Sequence, residues 1–238
     1  MGNPSLGVLY RRLVRRFGHA AWWPAESPFE VCLGAILVQN TSWTNAERAL
    51  LRLRRADRLS FEALHPLAVS RIAPLIRSSG TYRVKARRVR AFLDFLGEAY
   101  EGRVEAMREE DPWVLRRRLL AVHGIGRETA DSIVLYAAGL PLFVVDAYTR
   151  RVFSRLGLVD GGLGYDEIQR FFMERLPRDA ALYNDYHAQI VRLGKDVCRP
   201  RPRCPECPLE ALCPRRGVTP AAVLNSSDVG ASRFRRER

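Results

Sequence analysis

Along most of this chain the apolar residues return every three to four positions, and that spacing leaves little room for a sheet. Leu6, Leu9, Leu13, Val14 and Phe17 form one such stripe, closed by Gly18. Ser27-Pro28-Phe29-Glu30 reads as a capping box with proline at the first helical position, opening a helix to about Val38. Ser42 caps a helix running through Arg54, and Ser60 and Ser70 open two short ones. Tyr82 to Ala99 is a long amphipathic helix with Val89, Phe92, Leu93 and Leu96 inward. Further helices are expected from Asp111-Pro112 to Leu120, over Arg127–Ala138, from Asp146 to Leu156, over Asp166–Leu176 and over Asp179–Gly194. The one run that reads as a strand, Leu142-Phe-Val-Val145, is too short to build a sheet. The fold class expected is all-α. Residues 198–214 are rich in proline and cysteine and cannot be helical throughout.

Charge narrows the partner. There are 39 Lys+Arg against 26 Asp+Glu, a formal net charge of +13. A chain so basic is drawn to a polyanion, nucleic acid or an anionic surface. Arginines recur at 11–12, 15–16, 83–90, 116–118 and 199–203, and a basic arm follows a Ser/Gly/Ala stretch at the C-terminus. Arg83, Lys85, Arg87 and Arg88 read either as phosphate contacts or as a solvated helix face. The longest apolar runs, such as Ile133–Leu140, fall short of the roughly 20 residues that span a bilayer. With no signal-like N-terminus, the expectation is a cytoplasmic, nucleoid-associated monomer without membrane contact.

Three motifs carry chemistry. Val122-His-Gly-Ile-Gly126 lies between two helices, and its glycines permit positive φ and expose backbone N–H groups beside a helix N-terminus. Such a turn is either an ordinary helix connection or a phosphate grip through Gly124, Ile125 and Gly126. Asp146, twenty residues on, reads as a helix N-cap, a role that leaves room for catalysis. Cys198, Cys204, Cys207 and Cys213 lie within sixteen residues, with a single C-x-x-C knuckle. That spacing suits a cubane cluster and does not exclude zinc. Arg199, Arg201 and Arg203 stand between the first two cysteines, where they could meet phosphates. Cys32, on an expected core helix, reads as simply buried.

Taken together, the hairpin, the aspartate and the cysteine loop resemble the helix-hairpin-helix–Gly/Pro-Asp superfamily of base-excision DNA glycosylases, in its endonuclease III-like, iron–sulfur form. The strings W-W-P at 22–24, F-E-V-x-x-G-A-I-L-x-Q-N-T-x-W ending at Trp43, and G-I-G-R-E-T-A-D-S-I at 124–133 look most like its 3-methyladenine branch. The resemblance spans nearly the whole chain through Cys213. It implies a six-helix barrel lobe over 27–139 holding the hairpin. It implies a second lobe, 1–26 with 140–216, holding a [4Fe–4S] cluster on the four cysteines, and leaves 217–238 as a flexible basic tail. Double-stranded DNA bearing a damaged base would lie across the cleft, with Asp146 facing the flipped nucleotide. Trp22, Trp23, Pro24 and Trp43 would line the base pocket, and Gln39 would fill the gap left in the duplex.

Three departures sharpen this reading. The first cysteine spacing is five residues where the family usually has six. Where related lyases carry a lysine that attacks the sugar, this chain has Glu128, and a carboxylate cannot form an imine. Where endonuclease III has an intercalating leucine, this chain has Thr81, which wedges poorly unless Tyr82 substitutes. The function expected is therefore a monofunctional glycosylase that releases alkylated purines using an Asp146-activated water. The alternatives are an oxidised-pyrimidine enzyme with little or no lyase activity, and a catalytically degenerate damage-binding protein.

Overall fold

A computed structural model describes residues 4–20, 23 and 25–219. Trp22, Pro24 and most of the expected basic tail, 220–238, lie outside the described residues. Among the described residues there is no strand. Eleven α-helices follow in order: α1 (Leu6–Phe17), α2 (Pro28–Leu37), α3 (Trp43–Arg55), α4 (Phe61–Leu64), α5 (Val69–Leu75), α6 (Tyr82–Tyr100), α7 (Pro112–Ala121), α8 (Arg127–Ser132), α9 (Ala147–Arg155), α10 (Tyr165–Met173) and α11 (Ala180–Asp196). Among the described residues no helix is long and apolar enough to cross a membrane. The helices fall into two units, Trp23–Leu142 and Met1–Trp22 with Phe143–Arg238.

The unit Trp23–Leu142 is built around α2. Every residue from Phe29 to Leu37 is buried, so this helix is enclosed by its neighbours rather than amphipathic. Ser27 caps it through the Glu30 N–H at 3.2 Å. Glu30 is buried with its charge, and Arg54 of α3 meets both of its oxygens at 2.8 and 2.9 Å. Around α2 pack α3, α6, α8 and the turn that follows α8. Burying side chains such as Leu33, Ile36 and Leu37 contributes about 1.5–3 kcal/mol each.

Two local departures from the expected helices have physical causes. Helix α5 starts one residue before Ser70, with Ala68 at the N-cap and no side-chain cap, because burial of Ile72 and Ala73 sets its phase. The helix expected over Arg127–Ala138 widens after Ser132 into a π-turn at Ile133–Ala137, closed by Ala138 N–H on Ile133 O at 3.0 Å. Such widenings recur at functional sites. This one carries Tyr136.

The second unit is organised by α11, which packs against α1 and α9. Phe143, Phe153, Phe172, Tyr183 and Tyr186 form its aromatic core, with Phe143 stacked on Phe172 at 4.1 Å between ring centres. Asp185 of α11 ties down the segment after α1. It accepts from Tyr10 Oη at 2.6 Å, Ala20 N at 2.9 Å and Gln189 Nε2 at 3.0 Å, and lies 2.5 Å from His19 Nδ1. Burial alone would raise its pKa, but these hydrogen bonds outweigh it and hold the carboxyl below 3.8.

Candidate active site

The segment Phe143–Val145 is buried and neither helix nor strand, so its backbone polar groups need partners from elsewhere. Helix α10 supplies them: Gln169 Nε2 donates to Phe143 O at 2.7 Å, and Val145 N–H donates to Tyr165 Oη at 3.2 Å. This pinned strap delivers Asp146 to the start of α9. One carboxylate oxygen, Oδ1, caps the helix by accepting from Thr149 N–H at 2.7 Å and Thr149 Oγ1 at 2.9 Å. The other, Oδ2, faces His187 Nε2 of α11 at 3.6 Å, an ion-pair distance beyond hydrogen-bond range. The Asp146 side chain is 12% exposed and that of His187 is 7%. Burial pushes the His187 pKa below 6.5, against the opposing pull of the Asp146 charge. The imidazole beside the carboxylate is thus neutral at physiological pH. Nothing in the sequence marked His187, because a lone histidine on a helix reads as an ordinary core residue.

Helix α9 also holds the cysteine loop. Arg151 donates to Gly194 O at 2.7 Å and Cys198 O at 2.8 Å. Arg155 donates to Arg199 O at 2.6 Å and Pro200 O at 3.0 Å, and its Nη1 lies 3.4 Å from Cys198 Sγ. Gly194 is required by close approach, since a Cβ there would fall 2.6 Å from the Tyr148 ring. Cys198, Cys204, Cys207 and Cys213 line one cavity, and none is in a disulfide. Burial raises the Cys204 and Cys213 thiol pKa values and pushes Cys207 to about 12, so metal binding here must expel protons. Arg201 is exposed, and Arg203 lies 3.9 Å from Glu206.

In the other unit, α7 and α8 are joined by the Gly124–Gly126 turn. Gly124 alone has positive φ, +83°, whereas Gly126 sits at −94° as the N-cap of α8. A Cβ on Gly124 would also fall 2.3 Å from Arg88 Cγ, so both backbone and space demand glycine. Ile125 turns its side chain inward, 5% exposed, and offers the outside only its backbone. Glu128 is exposed on the first turn of α8.

Gln39 meets this hairpin directly. Its Nε2 donates to Gly124 O at 3.1 Å and Thr129 Oγ1 at 2.9 Å, while its Oε1 accepts from Arg88 Nη1. Entry of this carboxamide into a duplex would require it to give up all three bonds. Lys85, one turn before Arg88, is 1% exposed and donates to Leu37 O at 2.7 Å and to Ser79 O. The expectation of a phosphate contact or a solvated face is therefore corrected for Lys85. It is a buried tie between the end of α2 and the turn before Gly80, and burial lowers its pKa to about 8. Arg88 is half-buried on Gln39; Arg83 and Arg87 do lie outward. Thr81 is exposed and Tyr82 half-buried at the start of α6.

Trp23 packs edge-on against Trp43 at 5.1 Å and lies tilted against Tyr136 at 5.3 Å. All three are partly exposed. Gly34 lets Trp23 lie on α2, because a Cβ there would come within 3.2 Å of the indole. Tyr136, on the π-turn after Ser132, was not foreseen, since it joins Trp23 across more than a hundred positions.

Lysines are scarce. Only Lys85 and Lys195 occur among the 39 basic residues. The first is spent on backbone carbonyls, and the second is exposed on the last turn of α11.

Residues 33–178 match the model of the HhH-GPD superfamily base excision DNA repair protein. A Methanocaldococcus jannaschii protein, whose name as a DNA repair glycosylase is itself inferential, is 44% identical over 206 residues, 86% of this chain and 94% of the relative. The structure of an endonuclease III bound non-covalently to DNA is similar with TM-score 0.76 and 25% identity, covering 88% of this chain and 94% of that one. A Helicobacter pylori 3-methyladenine DNA glycosylase bound to 1,N6-ethenoadenine is similar with TM-score 0.66 and 27% identity, covering 79% and 94%.

Because folding depresses the His187 pKa, the neutral ring contributes stability that is complete above about pH 6.5 and is lost as pH falls through the folded value. Thermal unfolding followed from pH 7.5 down to pH 5.5, about one unit either side of 6.5, is expected to show a smaller fall in Tm for His187→Gln than for wild type. An equal fall in both would mean that folding does not depress the His187 pKa.

Proposed function

Because this chain belongs to the HhH-GPD superfamily of base excision DNA repair proteins and is a DNA N-glycosylase, we propose that it releases alkylated purines by a monofunctional, hydrolytic route. The observation that carries the reading is Asp146: a carboxylate with one oxygen fixed by Thr149 and the other turned away from the cap. A purine alkylated at N3 or N7 is cationic and departs without strong acid catalysis. The remaining task is to stabilise positive charge developing on the sugar, and a fixed carboxylate suits it. Asp146 Oδ2 then accepts the proton of the water that attacks the anomeric carbon. Trp23 and Trp43, joined by Tyr136, offer aromatic faces to a flat cation, which stacking and cation–π attraction favour. Trp22 and Pro24 are assigned to the same pocket by resemblance alone.

Support for a route without strand cleavage comes from the lysines. An imine needs a free amine at the sugar, Glu128 occupies the usual position, and Lys85 is committed to Leu37 and Ser79. The hairpin amides of Gly124 to Gly126 and the exposed Arg201 are assigned to DNA phosphates.

The cysteine loop is assigned to a [4Fe–4S] cluster by its likeness to endonuclease III. Cys198, Cys204, Cys207 and Cys213 line one cavity. A zinc ion needs all four sulfurs within about 2.3 Å of one point, whereas a cubane takes one thiolate at each corner. When bound, the cluster would cross-link Cys198, Cys204, Cys207 and Cys213 and fix the loop bearing Arg199, Arg201 and Arg203. It supplies no group to the bond-breaking step.

The wild-type enzyme is expected to liberate 3-methyladenine or 7-methylguanine from methylated duplex DNA, to leave the strand uncut, and to form no adduct under borohydride. Release of thymine glycol instead, or a trapped covalent complex, would favour the endonuclease III-type alternative and overturn this reading. Protein purified without oxygen is expected to be brown, with iron and acid-labile sulfide in equal amounts; a colourless, zinc-loaded preparation would refute the cluster.

A further inference from the structure

Arginines in the unit Trp23–Leu142 differ in what they meet. Arg54, Arg90, Arg103, Arg116 and Arg118 each meet a carboxylate. Arg48, Arg52, Arg55, Arg77, Arg83 and Arg87 are exposed and meet none among the described residues. Arg58, Arg71, Arg108 and Arg117 are also exposed without one, but the six are not scattered. Arg48, Arg52 and Arg55 line an open concavity of about 530 Å³ with Leu51 and Ser78. Arg77, Arg83 and Arg87 line a second of about 550 Å³ that includes Tyr82. Ser78 borders the first and Arg77 the second, so the two flank the turn before Gly80 and Thr81.

Helical spacing makes this arrangement costly to the fold. Arg48 and Arg52 are four apart, Arg52 and Arg55 three apart, and Arg83 and Arg87 four apart, each pair stacked on one helix face. Like charges at these spacings destabilise by a few tenths of a kcal/mol per pair. Helix α3 carries one acidic residue, Glu47, and none of the three arginines is paired with it. Arg54 of the same helix, by contrast, turns to Glu26 and Glu30. An exposed face with repulsion left uncompensated inside the protein is complementary to an external row of negative charge. Duplex DNA provides one, with a phosphate charge per about 1.7 Å of axis.

We propose that Arg48, Arg52 and Arg55, with Arg77, Arg83 and Arg87, form a second phosphate-binding surface, in addition to the hairpin, that grips the backbone of duplex DNA. The surface reads no sequence; it raises affinity for damaged and undamaged duplex alike and makes that affinity steeply salt-dependent. The inference rests on DNA being the substrate, but not on which base is released.

The test is binding of an undamaged duplex oligonucleotide by the full chain across a salt series. Arg48→Gln/Arg52→Gln/Arg55→Gln is compared with a charge-matched control, Arg11→Gln/Arg58→Gln/Arg108→Gln, whose positions are also exposed. Removing one arginine–phosphate pair flattens the log–log slope by about 0.9, so the first variant should lose roughly 2.7 of slope, the second little. Neither should lose Tm, because all six side chains are solvated, and the first should gain slightly as its like-charge pairs are relieved. An unchanged slope in the first variant would overturn the proposal. Equal flattening in both would also overturn it, leaving only a net-charge effect. Failure on undamaged DNA would leave the alkylpurine reading untouched, since that is judged by base release.

Discussion

The two oxygens of Asp146 are held differently, and the reaction assigned to this protein depends on that division. A helix start leaves N–H groups without partners, and α9 meets this need with Asp146 Oδ1. The bond fixes the carboxyl plane and so aims Oδ2. The helix dipole favours negative charge at the same spot. His187 then lies beside Oδ2 as a neutral, buried neighbour rather than a competing positive charge. A local stability device thus orients a reactive group. Through Arg151 and Arg155 the same helix carries the cysteine loop, so the carboxylate and the four thiols share one scaffold.

In the other unit, α6 does comparable work with two cations. Lys85 holds the end of α2 and the turn before Gly80, and Arg88 holds Gln39, which in turn holds the hairpin. A buried ammonium is expensive unless its donors find acceptors, and here two carbonyls take two of the three. Three segments, around Gln39, the turn before Gly80, and Gly124, are therefore fixed by one helix face. Precision of this kind matters where base release depends on holding a flipped nucleotide in one geometry.

Much of this was legible in the sequence because the signals are local. Ser27-Pro28, Asp111-Pro112, Asp146 and Asp179 each mark a helix start by chemistry confined to a few residues, and the structure has a helix beginning at each. The Gly124 turn was legible for the same reason. What escaped depends on contacts between distant residues. Lys85 looks like any surface lysine until α2 and the Ser79 turn close over it. Tyr136, on the π-turn after Ser132, joins Trp23 across more than a hundred positions. The carboxamide of Gln39 gave no hint that it would be engaged on three sides by partners 49 to 90 positions away.

The central claim is that Asp146 acts on the bond being broken and not only on the helix that it caps. Asparagine keeps a side-chain oxygen for the Thr149 N–H but carries no charge. Single-turnover release of 7-methylguanine by Asp146→Asn, set beside its affinity for the same duplex, separates the two roles. The account predicts a rate lower by about 100-fold or more with affinity and Tm close to wild type. A rate that survives the substitution, or one that falls only as far as the protein unfolds, would contradict it.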